Sequence, residues 1–106
     1  MKESKFQKQL VDEIKTRFPG SIVLKNDATY LNGVPDLLIL YGDRWATLEV
    51  KNHSKAHHQP LQDYYVKLMN KMSFSSFIYP ENREEVLNEL QRSFKSSRRT
   101  RVPRRK

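Results

Sequence analysis

Two carboxylates and an ammonium stand at the ends of the most apolar runs in this chain. In "GVPDLLILYGDRWATLEVKN", residues 33 to 52, Asp36 opens one run and Glu49 and Lys51 close the next, with a Gly-Asp turn between them. Acidic groups near strand ends ordinarily belong in turns, so this placement asks for a reason. Strand alternation supplies a first step. In "WATLEVK", Trp45, Thr47, Glu49 and Lys51 face one side and Ala46, Leu48 and Val50 the other. Asp36 shares a face with Leu38 and Leu40, and a hairpin turning at 42 to 44 returns position 36 close to positions 49 to 51. The three side chains then converge at the open end of a sheet. Such a set suits Mg²⁺, a hard cation that takes one or two carboxylates and keeps its other positions for water and phosphate oxygens. The lysine could stabilise charge developing at phosphorus or orient an attacking water. The competing reading is a surface hairpin on which Glu49 and Lys51 form an exposed ion pair.

The elements that must position this set follow from periodicity. Phe6, Leu10, Ile14 and Phe18 recur at a four-residue spacing and mark a helix over residues 4 to 18 with one buried face, stopped by Pro19-Gly20. "SIVLKN" is then a short strand, and "DATYLNG" a polar loop with Gly33 as its left-handed position. The two runs of the hairpin come next, with Pro35 tolerated only where the ladder begins. Pro60 opens a helix through Met72, a last strand is expected around Phe77 to Tyr79, and residues 81 to 94 form a helix with acids early and bases late. The order α-β-β-β-α-β-α describes a small α/β sandwich on a mixed sheet.

The residues "PD" at Pro35 and Asp36, a 12-residue interval from Leu37 to Leu48, and "EVK" at 49 to 51 resemble the PD-(D/E)XK nuclease superfamily. The nearest likeness is to small stand-alone VRR-NUC nucleases of the phage type, and it extends from residue 3 to about residue 90. The resemblance implies a restriction-endonuclease-like α-β-β-β-α-β core with a mixed sheet flanked by helices. It implies an Mg²⁺-dependent endonuclease, with Mn²⁺ as a substitute, in which Asp36 and Glu49 hold metal and Lys51 is the electrostatic catalyst. It also implies branched DNA of the Holliday-junction kind as substrate, and a homodimer, whose two-fold symmetry would match a junction's two equivalent strands. A further acid on the first helix belongs to the pattern, and two residues compete for it. At ~100° per residue Glu3 falls at the centre of the apolar stripe and Glu13 on its flank, which favours Glu3 as a third or outer metal ligand. The alternative for Glu3 is an acid that simply favours the helix N-terminus. A glutamine near the start of the next helix is implied as well. Gln62 fits best and Gln59 is the alternative, either able to donate to phosphate or orient water.

Composition narrows the classes. The chain has 106 residues, 37% hydrophobic and 30% charged, which fits one folded domain. With no cysteine it has neither a disulfide framework nor a thiolate zinc site. No apolar run approaches a membrane span, and "MKESKFQKQ" lacks a signal peptide's apolar region, so an intracellular protein is expected, phage-encoded in a bacterial host if the resemblance extends that far. The net charge of +8 is unevenly placed. Residues 95 to 106 hold 7 Lys+Arg and no acid, leaving 13 Lys+Arg against 12 Asp+Glu and a net +1 for residues 1 to 94. The nuclease domain is therefore read as 1 to 94, followed by a basic tail expected to be disordered. Its Arg98, Arg99, Arg101, Arg104 and Arg105 would tether phosphates, or else serve as a solubilising end.

Other candidates are weaker. Lys25, at the end of the strand beside the motif, could reach phosphate, as could Gln59. His53, His57 and His58 lack the i, i+4 geometry of a helical zinc pair and read as loop residues near the DNA path. Tyr64, Tyr65, Met69 and Met72 lie at helical spacing and read as packing, and Trp45 as core beneath the first helix. A flap or nicking endonuclease is the enzymatic alternative to a junction nuclease. A non-catalytic DNA-binding module, with the tail doing the binding, is the alternative from another class.

Overall fold

The computed structural model describes residues 1–96. Its elements run α1 (Glu3–Arg17), β1 (Ile22–Lys25), β2 (Leu37–Tyr41), β3 (Arg44–Val50), α2 (Pro60–Met72), β4 (Phe74–Ile78), a 3-10 turn (Pro80–Asn82) and α3 (Arg83–Lys95). The strands form one sheet in the order β1-β2-β3-β4. β1 and β2, and β2 and β3, pair antiparallel, while β3 and β4 pair parallel across the α2 crossover. The chain is thus the expected α/β fold on a mixed sheet. No helix among the described residues is long and apolar enough to cross a membrane.

The β2–β3 hairpin turns on two residues, Gly42 and Asp43, with Tyr41 opposite Arg44 and Gly42 at φ 64°. Glycine at the first central position is what a twist-compatible two-residue turn requires. That turn fixes the register Leu37 opposite Leu48 and Ile39 opposite Ala46, so these residues share one face with Val50. Ile78 of β4, opposite Val50, extends this face, and against it pack Phe6, Leu10 and Ile14 of α1 and Val86, Leu87, Leu90 and Phe94 of α3. Phe18, Tyr41 and Phe94 close the hairpin-turn end with ring centroids 5.2 to 5.4 Å apart in edge-on and tilted contacts.

The opposite face is covered by α2, where the Thr47 hydroxyl meets Met69 Sδ at 3.5 Å and donates to Ser75 Oγ at 2.8 Å. Trp45, expected in the core beneath α1, lies on this α2 face and is only half-buried, because alternation ties it to Thr47 and not to Ala46. Tyr64 and Met72, expected to pack, are each 56% exposed; Val66 is the buried residue of α2. β4 begins at Phe74, three residues before the strand expected around Phe77 to Tyr79, and stops at Ile78. Its "FSSF" start has the polar look of a turn, but Ser75 is buried opposite Thr47, which supplies the partner a buried hydroxyl needs.

Candidate active site

β2 and β3 bring the two carboxylates together by register alone. Leu37 pairs with Leu48, so the residue before β2 faces the residue after Leu48 on the α2 side of the sheet. The contact is reciprocal. The backbone N–H of Val50 donates to Asp36 Oδ2 at 2.9 Å, and the backbone N–H of Asp36 donates to Glu49 Oε1 at 3.2 Å. Asn26 pins the Pro35-Asp36 pair from β1's side, its N–H donating to the Asp36 carbonyl and its Nδ2 to the Pro35 carbonyl, each at 2.8 Å. Each carboxylate is therefore held rigidly through one oxygen, and the other oxygen remains for further contacts.

Lys51 continues the same face one step past β3. Its side chain is buried, and its Nζ donates to Gln62 Oε1 at 2.8 Å and to the His57 carbonyl at 3.0 Å. Glu49 Oε2 lies 3.9 Å from the same nitrogen, close enough for attraction between the charges but too long for a hydrogen bond. Gln62 is positioned by the start of α2. Pro60 opens the helix, the Gln59 carbonyl accepts from the N–H of Gln62 at 2.9 Å, and Gln62 Oε1 accepts from the N–H of Gln59 at 3.0 Å, so the two residues close on each other.

Electrostatics mark the cluster as costly without a compensating charge. Glu49 is 3% exposed, and burial, then the Asp36 charge, push its carboxyl from an ordinary 4.5 up to about 8, against the opposing pull of Lys51. Burial also raises Asp36. Glu3 is raised by burial and by the Asp36 charge, with Lys51 opposing. Two held carboxylates that resist ionising side by side are what a divalent cation would relieve, and Mg²⁺ needs no more than one or two protein carboxylates. Asp36 and Glu49 fit such an ion. Among the described residues no group of three His, Cys, Asp or Glu side chains could hold a metal, so Glu3 does not complete a preformed three-acid set.

The other expected residues are placed as follows. Glu3, expected to face the sheet, is exposed in the first turn of α1, at the rim of the cluster and within range of the Asp36 and Lys51 charges. Glu13 points elsewhere, to Arg83 Nε at 3.7 Å on α3. Lys25 is exposed at the end of β1, opposite Leu37 and so beside Asp36. Gln59 caps α2. Arg98, Arg99, Arg101, Arg104 and Arg105 lie outside the described residues. Sequence reasoning did not find Asn26 or the His57 carbonyl, since an isolated asparagine and a backbone oxygen carry no periodic signal.

No protein-family model matches the chain, and no curated protein matches it either. Among solved structures, a VRR_NUC domain protein superposes with a TM-score of 0.64 over 90% of this chain and 89% of its own, at 14% identity. The likeness is one of fold. The chain has a fold like that of this VRR_NUC domain protein, with the Asp36–Glu49–Lys51 cluster at one end of its sheet.

Proposed function

We propose that the protein is a metal-dependent nuclease that hydrolyses phosphodiester bonds in DNA. The observation that carries this reading is the convergence of two interlocked carboxylates, Glu49 buried and Asp36 half-buried, and a hydrogen-bonded lysine on one face of a nuclease-like sheet. Asp36 and Glu49 would hold Mg²⁺, which when bound supplies Lewis acidity at a phosphoryl oxygen and a more acidic water. Lys51 has three N–H donors, two of them committed to Gln62 and His57; the third serves a phosphate oxygen as negative charge grows on it. Gln62 orients Lys51 through its oxygen, which leaves its Nε2 for the role expected from sequence, donating to phosphate or orienting water. Glu3 at the rim is suited to an outer role, accepting from metal-bound or attacking water. Cleavage of branched over linear DNA, and action as a homodimer, are the finer parts of the proposal and rest on the sequence resemblance.

The test is incubation of the full chain with an end-labelled four-way junction and a linear duplex, in Mg²⁺ and in chelator. Mg²⁺-dependent cleavage, greater on the junction, is the expected result. Binding without cleavage in any divalent metal would replace the nuclease reading with that of a DNA-binding module.

A further inference from the structure

The loop between β3 and α2 supplies one of Lys51's two acceptors, and its own anchorage is unusual. The hydrogen bonds it makes within itself, Ala56 N–H to the His53 carbonyl at 3.1 Å and Lys55 N–H to His53 Nδ1 at 3.2 Å, tie it to neither sheet nor helix. His58 does both. Its ring stacks on Phe77 with centroids 3.9 Å apart and planes 10° from parallel, and Phe77 stands opposite Glu49 in the parallel β3–β4 ladder. Its Nδ1 lies 3.0 Å from Asp63 Oδ1 in the first turn of α2. An ionised carboxylate only accepts, so Nδ1 carries the proton and donates.

The two ties sit one residue from each of Lys51's partners. His58 follows His57, whose carbonyl accepts from Lys51 Nζ, and Asp63 follows Gln62, whose Oε1 accepts from the same nitrogen. We infer that His58 is a positioning residue for Lys51: by clamping the loop between Phe77 and Asp63 it holds the His57 carbonyl and Gln62 at the separation that fixes the ammonium beside Glu49. The contacts of His58 are its stack on Phe77 and its bond to Asp63, so it acts on the reaction through Lys51. The inference rests on the nuclease reading for its catalytic consequence, but not for its structural one. A small misplacement of a charge-stabilising group is costly, because stabilisation in a desolvated site depends on preorganised geometry.

The experiment separates the two. The side-chain ammonium of Lys51, assigned by its loss in Lys51→Arg, is followed by ¹H–¹⁵N NMR in the full chain, and its proton exchange with water is compared between parent, His58→Ala and Asp63→Asn. Single-turnover cleavage of the junction in Mg²⁺ is measured alongside. His58→Ala should speed exchange at Lys51 by about tenfold and lower the cleavage rate by about tenfold, with the half-saturating enzyme concentration held within about twofold. Asp63→Asn, which keeps shape and weakens only one tie, should move both readouts the same way by less. If His58→Ala does not fold, Asp63→Asn carries both arms. Unchanged Lys51 exchange overturns the inference, whatever happens to the rate. If the parent cuts no DNA, the nuclease reading fails and the exchange measurement still decides whether His58 positions Lys51.

Discussion

The two faces of β3 are built from alternate residues of one heptapeptide and do opposite things. Ala46, Leu48 and Val50 are each fully buried against α1 and α3 with apolar neighbours only. Thr47, Glu49 and, one step beyond, Lys51 are nearly as buried on the α2 side but are polar, and each is satisfied by a named partner. The first face contributes burial, at roughly 25 cal/mol per Å² of apolar area. The second consumes part of that stability to hold charges that desolvation disfavours. Apolar burial and held charge are thus divided by a period of two, and the rigid face serves as the mount for the charged one.

The largest effect that would break this division is on cleavage. Asp36→Asn and Glu49→Gln should each lower Mg²⁺-dependent cleavage by about 10³-fold, ~4 kcal/mol of barrier, while thermal melting shows the metal-free fold unharmed or strengthened. A loss of fold in either variant would mean that the polar face is structural. Leu48→Ala, next to Glu49 on β3 but on the other face, should do the reverse, costing about 3 kcal/mol in denaturant unfolding while the surviving folded fraction cuts at the parent rate.

The pH dependence sharpens the contrast. A carboxyl whose folded value is raised binds its proton more tightly folded than unfolded, so its burial is tolerated at low pH and becomes costly as pH rises from the ordinary 4.5 through about 8 for Glu49. Metal-free protein should therefore lose melting temperature across that window, Glu49→Gln should flatten the loss, and Mg²⁺ should restore it with release of protons. A smaller effect separates the helix acids. Glu3→Gln should reduce cleavage about tenfold, whereas Glu13→Gln loses only a surface pair with Arg83 and should cost under about 1 kcal/mol of stability and no rate. The smallest effect on chemistry is expected from deleting residues 95 to 106. With 7 basic residues gone, the slope of log affinity against log salt should fall by ~2 to 4, while cleavage at saturating enzyme and the preference for branched DNA persist. An unchanged slope would remove the tail from the DNA contact.

Much of the fold is legible because it is periodic. Phe6, Leu10 and Ile14 announce α1, the Gly42-Asp43 turn announces the hairpin, and alternation alone puts Glu49 and Lys51 on a common face. Alternation does not say which helix covers that face, which is why Trp45 is expected under α1 and is found on the α2 side. Helical phase sets Glu3 nearer the centre of the stripe than Glu13 but cannot tell a first-turn residue at the rim from one beneath the helix. What holds the cluster is less visible still. The crossed bonds from Val50 and Asp36 N–H groups and the His57 carbonyl depend on backbone atoms common to every residue, and the Asn26 pin on one isolated asparagine, so no residue pattern signals them.

Gly33 carries no functional group, yet the path of the chain leaves no room for a side chain there. At φ 91° an added Cβ would sit 2.5 Å from Leu61 Cβ and 2.9 Å from its carbonyl carbon, in the first turn of α2, one residue from Gln62. Backbone has to shift before even a methyl fits, and a shift there travels to the oxygen that orients Lys51. In a saturation library scored by DNA cleavage, this position would sort with the acids, as intolerant as they are. Gly33 has no side-chain group to lose, so sensitivity at this position would map the space around the lysine and not a charge.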